Sequence, residues 1–228
     1  PDEIRIADIS PDLLSSYLGW LERKRRCGVA TRNQRLAAFK SFFHYVAAVD
    51  PEHLFACQRI LGLPMKKSAR RPMSFFSPEG LHRLLSEPDT GTQKGRRDHA
   101  LLVLLYDSAA RVQEIGDLRV RSVRVEQPAT VTLHGKGRKS RIVPISTKTA
   151  SIMEAHLEER GWTGKSGVLD FPLFMNSRKT KLTRAGVAYI LRRYVRAVAL
   201  TDSREVPQSV SPHCLRHSKA VHLLRSGV

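Results

Sequence analysis

The chain has 228 residues, 41% of them hydrophobic, and its 39 Lys and Arg outnumber 21 Asp and Glu for a formal net charge of +18. This length and apolar fraction allow one large domain or two modest ones with real cores, and argue against disorder. No run of about 18 apolar residues offers a membrane helix, and the charged opening Asp2-Glu3-Ile4-Arg5 has no signal-peptide core.

So large a basic excess points to a polyanionic partner. With neither a basic amphipathic helix nor a lipidation motif, nucleic acid is preferred over a membrane. Three cysteines, Cys27, Cys57 and Cys214, are an odd number without metal-ligand spacing. They read as reduced thiols of a cytoplasmic, nucleoid-associated protein with no metal site.

Residues 11–63 read as helical. Leu13, Leu14, Tyr17, Leu18 and Leu21 recur at helical spacing, after Ser10 as cap and Pro11 in the first turn. The basic cluster Arg23, Lys24, Arg25 and Arg26 follows; Gly28 breaks the helix and Thr31 can cap the next. In that next helix Leu36, Phe39, Phe43 and Val46 form an apolar stripe, with Arg32, Arg35 and Lys40 largely off it. A lone helix of this kind would present a solvated face. Coming after a basic cluster, Arg25, Arg26, Arg32, Arg35 and Lys40 gain weight as a phosphate-facing surface.

Residues 64–76 are bounded by prolines and carry Lys66, Lys67, Arg70 and Arg71 with no acidic residue. They read as an extended linker, either an ordinary flexible one or a basic strap along a DNA backbone. Ser77-Pro78-Glu79 starts another helix, and residues 98–118 contain a strongly apolar one over 100–107. Val131-Thr132-Leu133 and Arg141-Ile142-Val143-Pro144-Ile145 read as strands around a Gly135-Lys136-Gly137-Arg138-Lys139 hairpin turn. Helices follow over roughly 147–160, 183–199 and 212–226. The expected fold is mainly α: a helical domain over 1–63, a basic linker over 64–76, and a mixed α+β domain over 77–228 with a small antiparallel sheet.

Three clusters carry candidate chemistry. Arg111 ends an apolar helix, where a charge is costly unless paired or used. Glu114, three residues on, could hold it, and the pair could equally be an ion pair that orders the bend. Lys136 sits between glycines that let the backbone approach a ligand, although a plain solvent-exposed turn would look the same. In Ser211-Pro212-His213-Cys214-Leu215-Arg216-His217, His213 and Arg216 share one helical face. His213 would bring proton transfer near neutral pH and Arg216 a phosphate fork; His217 and His222 read as packing residues. Together these groups suit holding a phosphodiester and stabilising its pentacoordinate transition state, each donor being worth roughly 100- to 1,000-fold. No carboxylate set suggests a metal clamp, and a protein hydroxyl would serve as nucleophile.

In order and spacing, these motifs resemble the tyrosine recombinase (phage integrase) family over nearly the whole chain, including the Ala30-Thr31-Arg32-Asn33-Gln34-Arg35-Leu36 helix opening. The resemblance implies a core-binding domain over 6–63 and a catalytic domain over 77–228, clamped around duplex DNA. It implies that Arg111 and Arg216 hold the phosphate, Lys136 protonates the leaving 5′ oxygen and His213 assists at the nucleophile. Arg138, Lys139 and Arg141 join Lys66, Lys67, Arg70 and Arg71 as DNA-binding candidates.

It further implies a 3′-phosphotyrosyl intermediate, a homotetramer on DNA, and no cofactor, metal or small-molecule substrate. The run His217-Ser218-Lys219-Ala220 is similar to transposon-encoded integrases. In the family a further His or Trp and the nucleophilic Tyr follow the His-x-x-Arg motif; here all five tyrosines precede it, and the chain stops at Gly227-Val228. The expectation is a chain that binds DNA and lacks the nucleophile, its first core-binding helix short or absent. The alternatives are a non-catalytic DNA-binding fragment, a type IB topoisomerase-like enzyme, or an unrelated basic DNA-binding protein.

Overall fold

The computed structural model describes residues 5–68, 73–135, 137, 139–202, 204, 206–207 and 210–227. Two of the proposed basic contacts in the linker, Arg70 and Arg71, and two in the hairpin turn, Lys136 and Arg138, lie outside these residues. The chain divides into two compact units, Pro1–Arg71 and Pro72–Val228.

The first unit contains α1 (Pro11–Arg23), α2 (Val29–Val49) and α3 (Leu54–Leu61). Ser10 Oγ accepts the Leu13 N–H at 3.1 Å with Pro11 in the first turn, so α1 starts as its sequence dictates. Leu14, Phe43, Val46, Cys57 and Ile60 form one buried cluster and Leu18, Leu21 and Leu36 another.

Two local expectations are corrected. Thr31 lies inside α2, and Gly28 is the N-cap. The chain reverses earlier than expected, because Arg26 takes the left-handed conformation (φ 50°) and the Cys27 N–H bonds Leu21 O at 3.0 Å. Arg32, expected on an outer face, is only 9% exposed. Its Nη1 donates to Pro64 O and to Asn33 Oδ1, both at 3.1 Å, while Asn33 exchanges hydrogen bonds with the Lys66 backbone. Residues 64–66 are thereby fastened to α2.

The second unit comprises α4 (Pro78–Ser86), α5 (Gln93–Asp107), α6 (Val112–Gly116), β1 (Val123–Arg124), β2 (Thr130–His134), β3 (Ser140–Pro144), α7 (Thr147–Glu159), α8 (Arg184–Thr201) and α9 (Pro212–Arg225). The architecture is mainly α with a small antiparallel sheet of order β1-β2-β3, in which Val131 pairs with both Val123 and Val143. Helix α5 is the axis of this unit: residues 100–105 are buried on every side, which is why that stretch is apolar without periodicity. Ionic contacts tie its ends to its neighbours. Asp98, fully buried, accepts from Arg97 and from the Tyr194 hydroxyl of α8.

The last residue of the expected linker, Phe76, is a core residue of the second unit. Its N–H donates to Ser218 Oγ at 2.8 Å, and its carbonyl meets His222 Nε2 at 3.0 Å, so both groups bond to α9. Replacing Ser218 by alanine strands a buried N–H. The expected cost is about 1–3 kcal/mol, a melting point lower by roughly 2–12 °C on calorimetry. An unchanged melting point would remove this contact from the forces holding α9.

Candidate active site

The end of α5 makes the site. After Asp107 the backbone turns through Ala109 at φ 47°, a left-handed conformation that is costly for a residue with a Cβ. This turn sends Arg111 to the N-cap of α6 and buries Glu114 one turn later. The Arg111 side chain stays 56% exposed while that of Glu114 is 3% exposed. Glu114 receives the Arg111 N–H at 2.8 Å and Arg111 Nη1 at 3.1 Å. From β3, Arg141 forks onto the same carboxylate at 2.8 and 2.7 Å. Arg141, expected to face DNA, thus spends its fork on Glu114.

Burial alone would raise the Glu114 pKa. The Arg141 hydrogen bond, the Arg111 N–H and the two positive charges outweigh it and bring the value down to about 2. The carboxylate is therefore an anion at neutral pH, fixing one arginine and orienting another.

On α9, Arg216 Nη1 donates to Ala109 O at 2.9 Å, so both arginines are registered on one five-residue turn. Lys219, one turn further, binds Asp107 Oδ1 at 2.9 Å, and Asp107 Oδ2 accepts the Ser146 N–H at the start of α7 at 2.8 Å. Burial opposes ionisation of Asp107, but these partners hold its pKa below the usual value. His213 lies exposed in the first turn of α9, its ring 6.4 Å from that of His217. The hairpin closes through the Gly135 N–H to Lys139 O at 2.8 Å, with Gly137 at φ 77°, a conformation suited to glycine. A concavity of about 700 Å³ opens here, lined by Arg111, Glu114, His134, Lys139 and Arg141 among others.

Residues 74–228 match the model of the phage integrase family. The chain belongs to the phage integrase family of tyrosine recombinases. It is 34% identical over 218 residues to y4rD of Sinorhizobium fredii (strain NBRC 101917 / NGR234), named as an integrase/recombinase, covering 95% of this chain and 76% of that protein. It is 34% identical over 227 residues to the tyrosine recombinase XerC of Myxococcus xanthus, covering 94% of this chain and 68% of that one. Among solved structures, the Tn1549 transposon integrase in complex with transposon right end DNA superposes with a TM-score of 0.76 at 16% identity, covering 99% of this chain and 76% of that one. The XerH site-specific recombinase bound to palindromic difH substrate gives 0.74 at 21%, covering 97% and 63%. At those identities the two structures speak to the fold alone.

In the first unit Arg35 is exposed and Lys40 half-buried, while the Arg25 guanidinium sits 5.7 Å from the Trp20 ring centre. Lys66 pairs with Glu22 at 2.7 Å and Lys67 is exposed. The Arg-x-x-Glu spacing offered Glu114 as a holder of Arg111, but gave no sign of its second partner, Arg141, which lies 27 residues away across a hairpin. Among the described residues no group of three His, Cys, Asp or Glu could hold a metal ion.

Proposed function

We propose that this recombinase binds duplex DNA and cleaves and rejoins its strands through a 3′-phosphotyrosyl intermediate. Residues 1–63 are the core-binding domain, residues 64–76 the strap across the backbone, and residues 77–228 the catalytic domain of a tetramer assembled on DNA. Arg111 and Arg216 hold the non-bridging oxygens of the scissile phosphate. A tyrosine oxygen attacks phosphorus and passes its proton toward His213; the bond to the 5′ oxygen breaks, and that oxygen takes a proton from Lys136. Rejoining reverses these steps, so the bond energy is conserved in the protein. Retention of DNA between steps suits integration of DNA, an activity in the name of the y4rD relative.

The observation that carries this reading is the pairing of two arginines on one strained turn, Arg216 through the Ala109 carbonyl and Arg111 through Glu114. Preorganised donors of this kind stabilise charge that appears only in the transition state.

We assign the nucleophile to none of the five tyrosines present. Tyr194 is buried and donates to Asp98; burial and that neighbouring charge push its pKa up to about 12. Tyr106 is bonded to His222 at 2.9 Å, Tyr189 lines a cleft that does not include Arg111, and Tyr17 and Tyr45 belong to the first unit. These 228 residues are therefore expected to bind duplex DNA without becoming attached to it. Binding should weaken steeply with salt, log K falling by about 0.9 per log unit for each phosphate neutralised, and Arg35→Gln should flatten that slope by about one contact. Titrations at several salt concentrations check the slope. A denaturation-resistant adduct with a nicked suicide duplex would overturn the assignment of the nucleophile.

A further inference from the structure

The second unit carries another basic cleft, built at the opposite end of α5 from Arg111. It holds about 670 Å³, and its lining includes Lys94 and Arg97 of α5, Arg160, Lys179, and Tyr189 and Arg193 of α8. Helix α5 spans 15 residues, which separates its two ends by about 20 Å.

The cleft is electrostatically unbalanced. Five cations line it and no carboxylate does. Asp98, the one acid bonded to any of them among the described residues, is fully buried and already occupied by Arg97 and the Tyr194 hydroxyl, with Arg193 at 3.8 Å. Glu159, next in sequence to Arg160, is committed to Arg96 at 2.7 Å. Among the described residues no carboxylate pairs with Lys94, Lys179 or Arg160, and the buried Arg160 Nε meets no hydrogen-bond acceptor. Burial acts most strongly against the Arg160 cation; Glu159 next to it in sequence offsets part of that, and the charge of Arg97 adds to it. An anion in the cleft would relieve the repulsion and supply the missing acceptor.

Two of the arginines are already positioned. Arg97 is held by Asp98 and by Met175 O at 2.9 Å, and Arg193 lies over the Tyr194 ring at 4.4 Å. Planar forks fixed in this way match phosphate oxygens. Tyr189, 63% exposed, and Ile190 give the same cleft an aromatic and apolar wall, the combination that receives a phosphate together with a base.

We propose that this cleft is a second anion site that takes a phosphate-bearing nucleotide, either free or as an unpaired nucleotide of a DNA strand, with phosphate on Arg160 and Arg193 and the base against Tyr189. The site is separate from the cleavage centre and does not depend on its assignment.

The chain has two tryptophans, and the Arg160 guanidinium lies 5.4 Å from the Trp162 ring centre. In a Trp20→Phe background, Trp162 emission therefore reports occupancy. The titrants are inorganic pyrophosphate, thymidine diphosphate, the tetranucleotide dT4 and a tetraglutamate peptide. Saturable binding of the three phosphate compounds is expected, weakened about tenfold by Arg160→Gln and by Arg193→Gln. The rim pair Lys94→Gln with Lys179→Gln, both exposed and unable to disturb the core, should weaken it comparably. Removing the same charge at Lys24 and Lys148 should change it little. Thymidine diphosphate binding as tightly as dT4 assigns the site to free nucleotides, and tighter dT4 binding assigns it to a strand. Equal losses in the remote pair, unaltered affinity in the cleft variants, or tetraglutamate binding as tightly as pyrophosphate would each overturn the proposal.

Discussion

Arg111→Ala and Arg216→Ala are each expected to slow strand cleavage by about 100- to 1,000-fold while leaving most DNA affinity intact. Neither change should unfold the unit. Without the Arg111 side chain, Glu114 still accepts both arms of Arg141 and the backbone N–H of residue 111. Without Arg216, α9 remains anchored through Ser218, Lys219 and His222. Lysine at either position should recover little, because an ammonium keeps the charge but not the fork that spans two phosphate oxygens. Single-turnover cleavage of a suicide duplex, by the protein carrying this unit with its nucleophilic tyrosine, measures the first effect, and fluorescence anisotropy on the intact duplex the second. A parallel loss of binding and cleavage would reassign both arginines to duplex recognition.

Much of this site was legible because the signals were local. Arg111 and Glu114 are one helical turn apart, as are His213 and Arg216, and the glycines of the hairpin mark its turn. Residues 100–105 declared a strongly apolar helix by their unbroken run, and α1, α7, α8 and α9 followed their period and caps. What escaped was set by residues distant in sequence. Arg32 looks solvent-facing on the wheel of α2 alone and is buried by Pro64, 32 residues later. Phe76 sits in a linker-like stretch and is claimed by Ser218 and His222, more than 140 residues away. The pairing of Lys219 with Asp107 spans 112 residues. Strand β1 has two residues, too few for alternation to register.

Glu114 joins these two kinds of information, and its replacement carries the largest expected stability effect. Alanine there leaves Arg111 and Arg141 facing one another without their shared anion. Only the carboxylate is buried, and the two arginines, 56% and 39% exposed, can turn to water, so the cost is about 2–4 kcal/mol, a fall of roughly 4–16 °C in melting temperature at this size. Glutamine keeps an acceptor but loses the charge, and so isolates the ionic part. With a folded pKa of about 2 against an ordinary 4.5, the carboxylate contributes its full stabilisation above about pH 4.5 and loses it as the pH falls toward 2. The stability difference between the native chain and Glu114→Gln should therefore be constant from pH 7 to 5 and shrink through that acid window. Asp107, Asp117, Glu159 and Asp202 also have depressed values. Because they are common to both proteins, their contribution cancels in the difference. A gap that stays constant down to pH 2, measured by urea unfolding, would show that Glu114 is not the anion binding the two arginines. The same variant should lower the cleavage rate more than the DNA affinity, since it leaves Arg111 in place but frees its fork to turn away from the phosphate.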